Sequence, residues 1–357
     1  MRKSYVGAIV DRALRGGHPA LVLTAAARFL ALRAGRALGR PLAGPVLGIL
    51  AVTRSCPHRC DFCDVPHRRE GAASIPELDA PAKVRVLEGF AALGCLAVTF
   101  TGGEPMLDPD LPDLVSRAAS LGLMPHLSTT GWGLDEEAAR TLVRAGLSGA
   151  TITMAAHQGR NAPRPEAAIA ALQHLADAGR TVGRRLSLTT TTVLSPGRLP
   201  QATAVVRRLL DLGFEQVGVM PELDLSAPPG RPGLDEAALR TLAADLLAWK
   251  RSTGRIDNSV GYLRALPRCA GPAPLPVPCV APYSSVIVDA TGSVHACAPA
   301  WMRGVSIGNV RETPVEALWR SPAYAAERRR LRDCRDCLWN CHAEMSLAVA
   351  RPWNALR

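Results

Sequence analysis

The sequence predicts an α/β protein: a parallel sheet closing toward a barrel, a helical segment before it and a small cysteine-rich α+β region after it. Three observations carry this. Six short β-rich runs recur along the middle of the chain. Between them lie helical stretches ending in Gly94, Gly122, Gly146, Gly179 and Gly213, which recur every 24 to 34 residues. Nine of the ten cysteines fall in two groups, one early and one late.

The elements follow in order. Residues 1–45 read as helix and hold eight basic residues and one acid, a balance of +7 within a chain total of +11. The remaining 312 residues therefore carry only +4. Arg33, Arg36 and Arg40 share one face, but the apolar residues spread around the wheel, a weak amphipathic signal. The β-rich runs are Val46–Thr53, Leu96–Phe100, Met124–Thr129, Ala150–Met154, Leu186–Thr192 and Glu215–Met220. They are nearly continuously apolar or β-branched, as strands are when helices cover both faces of a parallel sheet. A glycine just past each helix supplies a left-handed cap without a Cβ clash. No dinucleotide-type glycine fingerprint is present, which favours a barrel-like arrangement.

The repeat ends near residue 222. Leu223–Leu234 is rich in Pro and Gly, and a helix is expected to run from there to about Lys250. Residues 265–282 hold six prolines and two cysteines, so the domain boundary is placed there. The expected domains are 1–45, 46–264 and 265–357. A hairpin is predicted from Ser284–Asp289, a turn at Ala290-Thr291-Gly292, and Ser293–Ala296. Two short helices follow, ending at Cys334.

Composition excludes several classes. With 48% apolar and 20% charged residues, the chain is neither disordered nor a disulfide-stapled miniature. No run of about 18 uncharged apolar residues suggests a spanning helix. Only three basic residues are lysines (Lys3, Lys83, Lys250), against 39 arginines. Such a bias can reflect base composition, and without interleaved aromatics it is a poor nucleic-acid signal. The start of the chain lacks the apolar core of an export signal, so the expected location is the reducing cytoplasm. There, clustered cysteines read as metal or cluster ligands before disulfides.

Cys56-Pro-His-Arg-Cys60-Asp-Phe-Cys63 follows the first strand directly, at the C-terminal mouth of the sheet, where α/β barrels keep their chemistry. A structural zinc site needs four ligands, usually as two separated pairs. Three thiolates within eight residues can instead hold three irons of a 4Fe–4S cluster and leave the fourth open to a small molecule.

This CxxxCxxC segment resembles that of the radical S-adenosylmethionine (SAM) superfamily. Thr101-Gly102-Gly103-Glu104-Pro105 after the second strand is similar to the family's GGEP turn. Phe62 matches its adenine-contacting aromatic, and Ser128-Thr129-Thr130-Gly131 matches its polar turn after strand three. The resemblance covers roughly residues 46–222. It implies a partial (β/α)6 TIM-like barrel in which Cys56, Cys60 and Cys63 hold the cluster. Gly102, Gly103, Glu104 and Pro105 would face the methionine end of SAM, with Ser128, Thr130, Thr190 and Thr192 as further contacts. It also implies the reaction: the cluster reduces SAM, and a 5′-deoxyadenosyl radical takes hydrogen from an unactivated C–H bond. A flavodoxin- or ferredoxin-type reductant is the implied electron source.

The second group is Cys279, twelve residues, Gly292, four residues and Cys297, then Cys334-Arg-Asp-Cys337-Leu-Trp-Asn-Cys341. It resembles the SPASM and twitch extensions of radical SAM enzymes, small α+β cluster domains. The match departs from the full SPASM pattern: CX2CX3C stands in place of CX2CX5CX3C, and no cysteine follows Cys341. Six cysteines, Cys269 included, fall short of the eight that two fully cysteine-ligated clusters need. One auxiliary 4Fe–4S cluster on Cys279, Cys297, Cys334 and Cys337 is expected, with Cys341 or Cys269 as alternates. Two clusters with open ligation, or a zinc site, stay open.

Other residues are weighed individually. Cys95 is expected to be a packed thiol. His157 and Glu222 sit at strand ends facing the mouth. Thr189 to Thr192 alternate hydroxyls toward the barrel interior. His342 adjoins Cys341, and Arg328–Arg332 reads as a solvated face. The leading function is hydrogen abstraction on a peptide or other natural-product or cofactor precursor, with the auxiliary cluster assisting oxidation or cross-linking. The alternatives are a lipid or isoprenoid substrate, with residues 1–45 against a membrane surface, and an iron–sulfur carrier or redox sensor that does not turn SAM over.

Overall fold

The computed structural model describes residues 19–58, 60, 63, 75–154, 165–223 and 233–350. Its elements run α1 (Pro19–Leu38), β1 (Leu47–Thr53), α2 (Ala80–Ala92), β2 (Ala97–Gly102), α3 (Leu111–Ser120), β3 (Met124–Thr129), α4 (Glu136–Ala145), β4 (Gly149–Met154), α5 (Pro165–Thr181), β5 (Ser187–Leu194), α6 (Leu199–Asp211) and β6 (Val217–Pro221). They continue as α7 (Glu236–Thr253), α8 (Val260–Ala265), α9 (Ala281–Ser284), β7 (Ser285–Val288), β8 (Ser293–His295), α10 (Ala298–Met302), β9 (Gly308–Asn309), α11 (Val315–Arg320), α12 (Pro322–Arg330) and α13 (Asn340–Ala350). The six expected strands and the hairpin are present.

The chain forms two compact units. One comprises Pro45–Thr191 and Ser285–Tyr324. Its strands hydrogen-bond in the order β5-β4-β3-β2-β1-β7-β8-β9. β1 to β4 and β7 run parallel, whereas β8 and β9 are antiparallel additions. The hairpin was not expected to join this sheet. Leu47–Leu50 pair with Ser285–Val288, so β7 extends the sheet beyond β1.

All seven residues of β1 are buried, which explains its unbroken apolar run. The helix layer lies against one face: a Cβ on Gly48 would meet the Phe90 ring of α2 at 2.4 Å. α2 starts where Asp79 accepts the Ala82 N–H, and α4 where Asp135 accepts that of Ala138. Gly179 differs from expectation. It lies inside α5, and the left-handed residue after that helix is Gly183, with φ of 67°. Gly179 is small for another reason: a Cβ there would sit 2.7 Å from the Arg184 carbonyl oxygen.

The other unit comprises Met1–Gly44, Thr192–Ser284 and Ala325–Arg357. The last residues of β5 belong to it, and the Glu222 N–H just after β6 donates to the Leu194 carbonyl. Asn258 pins β6 with two bonds, donating to the Val219 carbonyl and accepting its N–H. α1 packs on α9 and α13. Arg328, expected on a solvated face, is instead buried. Its Nε donates to the Pro282 carbonyl and its guanidinium lies over the Tyr283 ring, so this arginine's charge is spent inside the unit.

Gly48→Ala tests the strand–helix contact. The added methyl forces the Phe90 ring to move, and overpacking of this kind costs about 1–3 kcal/mol. Denaturant unfolding should show a lowered midpoint with an unchanged slope.

Candidate functional site

The site is built at the C-terminal ends of β1, β2 and β3. Cys56 is three residues past β1, and the Cys63 N–H donates to the Cys60 carbonyl, curling the cysteine loop. Burial pushes the Cys56 thiol up to about 11. The neighbouring negative charges of Glu104 and Cys63 push the same way, so these three groups lie close together.

Gly102 and Gly103 have a specific steric task. A Cβ on Gly102 would lie 2.2 Å from the Thr53 carbonyl oxygen, and one on Gly103 would lie 2.2 Å from that of Ser55. Gly103 and Glu104 N–H groups donate to those two carbonyls. The glycines thus seat the turn against the backbone that leads into Cys56. Pro105 then opens a short 3-10 turn, Pro105–Leu107. Lys83 Nζ holds Asp108 just beyond it at 2.6 Å, with both side chains buried.

Glu104 is fully buried. Its Oε1 accepts from Thr129 Oγ1 at 2.5 Å and from the Met106 N–H. Its Oε2 accepts from the Thr130 N–H and from Thr130 Oγ1 at 2.5 Å. Among the described residues no cation pairs with it. A buried carboxylate that is hydrogen-bonded but lacks a counter-charge suits a ligand ammonium. Thr130 Oγ1 also meets His58 Nε2 at 3.0 Å, and the His58 ring sits edge-on to Trp132. His58 and Thr129 stand within the two motifs, but nothing in their spacing marks them for a role of their own. Their contacts depend on strand order, which spacing alone does not give.

The sheet face opposite the helix layer mixes polar with apolar residues. Gly48 points to α2, so Ile49 and Ala51 point away from it. Register carries that face to Thr99 and Thr101, then His126 and Ser128, then Thr151. All five polar residues are only half-buried. His126 Nε2 lies 2.9 Å from Thr151 Oγ1, and burial pushes its imidazole down to about 4, keeping it neutral.

Thr190 and Thr192 are fully buried, and Thr192 Oγ1 has no hydrogen-bond partner among the described residues. Glu222 is half-buried, and Cys95 is buried. Phe62 and His157 lie outside the described residues.

The later cysteines divide between the units. Cys297 belongs to the sheet-bearing unit, at the start of α10. Cys269, Cys279, Cys334, Cys337 and Cys341 belong to the other. There the Cys279 N–H donates to the Cys334 carbonyl, and Cys279 lies near enough to both Cys334 and Cys341 for its charge to raise theirs. Burial pushes Cys269, Cys334 and Cys341 up to about 12, and pushes Cys279 up as well. Tyr262 is completely buried beside Cys269, Cys337 and Cys341, and its hydroxyl donates to the Leu338 carbonyl at 2.7 Å. His342 is buried, and its imidazole is pushed down to about 4.

Among the described residues, no three His, Cys, Asp or Glu side chains converge on one point as a single ion requires. Thiolates are the donors that iron–sulfur clusters take, and the cysteine loop and the Cys279, Cys334 and Cys341 group each offer three.

Comparison with known proteins agrees. The radical SAM superfamily matches over residues 50–210, and the SPASM iron–sulfur cluster-binding domain matches over residues 279–338. The chain belongs to the radical SAM superfamily, as an enzyme with a SPASM-type C-terminal region. Membership brings SAM, its 4Fe–4S cluster and auxiliary iron–sulfur. A PqqA peptide cyclase of Methylobacterium sp. (strain 4-46) is 30% identical over 311 residues, 82% of this chain and 78% of that protein. One from Streptomyces rochei is 29% identical over 322 residues, 83% of each. Streptococcus suis SuiB bound to precursor peptide SuiA shares the fold at a TM-score of 0.64 and 15% identity, covering 89% of this chain and 76% of that one. Native anSMEcpe with AdoMet and Cp18Cys peptide does so at 0.60 and 14%, covering 87% and 98%.

Two predictions follow from the cysteine-rich unit. Tyr262→Phe strands the buried Leu338 carbonyl and should cost about 1–3 kcal/mol, read as a lowered melting temperature. Glu344 of α13 accepts the Ser259 N–H. Burial pushes its carboxyl up to about 7 and that of Asp257 up to about 6, with Lys250 opposing both shifts. The fold therefore holds protons that the unfolded chain has released. Their stabilisation is complete below about pH 4 and is lost as pH rises through 6 to 7. Melting curves should fall less steeply with pH over this range in Glu344→Gln than in wild type.

Proposed function

We propose that the chain modifies a peptide by SAM-dependent hydrogen abstraction. The observation that carries this reading is the set of polar residues on that sheet face, Thr99, Thr101, His126, Ser128 and Thr151, below the cysteine loop. Hydroxyls and a neutral imidazole can exchange hydrogen bonds with peptide groups, which an isoprenoid chain cannot do. The PqqA peptide cyclases to which most of the chain is similar support the same class.

Residue roles follow. Cys56, Cys60 and Cys63 hold the cluster. When bound, cluster and SAM supply one-electron cleavage of the sulfonium and, through it, removal of hydrogen from an unactivated C–H bond. Glu104 takes the SAM ammonium, oriented by Thr129 and Thr130. Gly102, Gly103 and Pro105 shape the turn that presents it. Phe62 flanks the adenine. Ser128, Thr130, Thr190 and Thr192 offer hydroxyls, and that of Thr192 has no hydrogen-bond partner among the described residues.

One auxiliary 4Fe–4S cluster would be held by Cys279, Cys297, Cys334 and Cys337, with Cys341 or Cys269 as alternates; the bond from the Cys279 N–H to the Cys334 carbonyl supports pairing those two. Bound there, such a cluster would offer a redox centre for substrate oxidation or cross-linking. A flavodoxin- or ferredoxin-type protein supplies the reducing electron.

Two measurements test this. Iron and sulfide are counted per chain after anaerobic reconstitution, in wild type and in a Cys56→Ala, Cys60→Ala, Cys63→Ala variant. About eight irons should fall to about four; iron content unchanged by the variant overturns the ligand assignment. The enzyme is then reduced with the deuterated small-peptide fraction of the host or with its deuterated lipid extract. Deuterium should enter 5′-deoxyadenosine from the peptides; entry from the lipids alone overturns the peptide reading.

A further inference from the structure

The basic N-terminal helix is the feature that this chemistry does not use. Its inner side is well anchored within its own unit. Leu32 and Gly35 are buried, Arg28 donates to the Gly44 carbonyl at 3.1 Å, and Arg36 donates to the Arg332 carbonyl at 3.0 Å beside Asp333.

Its outer side is uncovered. At 100° per residue, Ala27, Leu30, Ala34, Ala37 and Leu38 fall on one arc, and all five are exposed. Leu30 is 70% exposed and Leu38 62%, and Leu42, just past the helix, is 47% exposed. Arg33 is exposed at one edge of the arc, and Arg40, just past the end of the helix, is exposed as well. No acid occurs anywhere in α1. Two apolar faces, one packed and one bare, explain why the apolar residues spread around the wheel.

We propose that the outer face of α1 docks on an anionic membrane surface, with Leu30, Leu38 and Leu42 entering the headgroup boundary and Arg33 and Arg40 meeting lipid phosphates. An apolar stripe edged by arginines is the pattern of a helix lying in the interface plane. Charge selects this occupant. Arg33 and Arg40 flank the exposed leucines and no acid lies in α1, so a second copy on the same face would set like charges against each other. An anionic bilayer attracts the same arginines. The arc consists of leucine and alanine and lacks the aromatic anchors that concentrate energy at protein interfaces. Among the described residues no helix is long and apolar enough to cross a membrane, so the contact is a surface one. It is independent of the substrate: a peptide enzyme can work at a membrane.

The test is co-flotation of the reconstituted full-length protein with vesicles of equal parts phosphatidylglycerol and phosphatidylcholine, or of phosphatidylcholine alone. Wild type should float with the anionic vesicles and be released by high salt. Leu30→Glu/Leu38→Glu should lose roughly tenfold or more of its binding. Arg33→Ala/Arg40→Ala, which keeps the leucines, should bind more weakly and with a flatter salt response. Both variants alter exposed positions, and unchanged circular dichroism and iron content identify them as folded. Wild type that stays with the free protein overturns the proposal, and so does equal flotation on phosphatidylcholine alone. A dimer that the Leu30→Glu/Leu38→Glu variant dissolves, without flotation of wild type, would instead assign the face to a second copy.

Discussion

The buried charge of Glu104 is the constraint around which the candidate site is organised. A carboxylate removed from water must find donors or a cation. Here it finds four hydrogen bonds, from Met106, Thr129 and both donors of Thr130. Those bonds tie the end of β2 to the end of β3. Thr130 extends the connection to His58 inside the cysteine loop. The glycine turn closes the remaining side, because Gly102 and Gly103 lie against the backbone of Thr53 to Ser55. Three strand ends are thereby fixed to one another around one negative charge. Among the described residues no cation neutralises that charge, which leaves the role open to a ligand.

Below this point the sheet has two unlike faces. Phe90, Phe100, Leu50 and Leu127 belong to its sealed side, where helices pack and water is absent. The opposite face carries hydroxyls and an imidazole that remain half-open. A barrel core built only for stability is filled with branched aliphatic side chains. Threonines satisfy β-propensity and leave a hydrogen-bonding surface, so the same residues serve strand formation and recognition. The buried pair Lys83–Asp108 belongs to this economy as well. One of only three lysines in the chain holds the segment just past the Glu104 turn.

The strands were legible because their signal is local: continuous apolar runs, helices between them and glycines at the helix ends. Cys56, Cys60, Cys63 and the turn at Glu104 were legible because ligand chemistry dictates residue type and spacing together. What could not be read depends on pairing. The β7 run is as apolar beside β1 as it would be in a separate hairpin, so its place in the sheet left no trace in the pattern. Gly179 looked like a helix end because a small residue is equally required where the Arg184 carbonyl crowds in. Arg328 looked solvated because its neighbours are arginines, while its burial depends on Pro282 and Tyr283, far away in sequence.

The later cysteines illustrate a further step from burial to chemistry. A thiol serves as a nucleophile or redox switch when its surroundings favour the thiolate. Cys269, Cys334 and Cys341 are pushed the other way, to about 12, by burial. At neutral pH such groups stay protonated and unreactive. Only a centre carrying strong positive charge can draw the protons off and repay the burial of the sulfurs, and metal binding does this by coupling ligand deprotonation to site formation. Cys279 adds the local geometry: its N–H is already bonded to the Cys334 carbonyl, and the Ala281 N–H points at its sulfur at 3.4 Å. A sulfur held this way gains stabilisation as it becomes anionic. The arrangement is in keeping with the iron–sulfur role of the SPASM domain that matches this region.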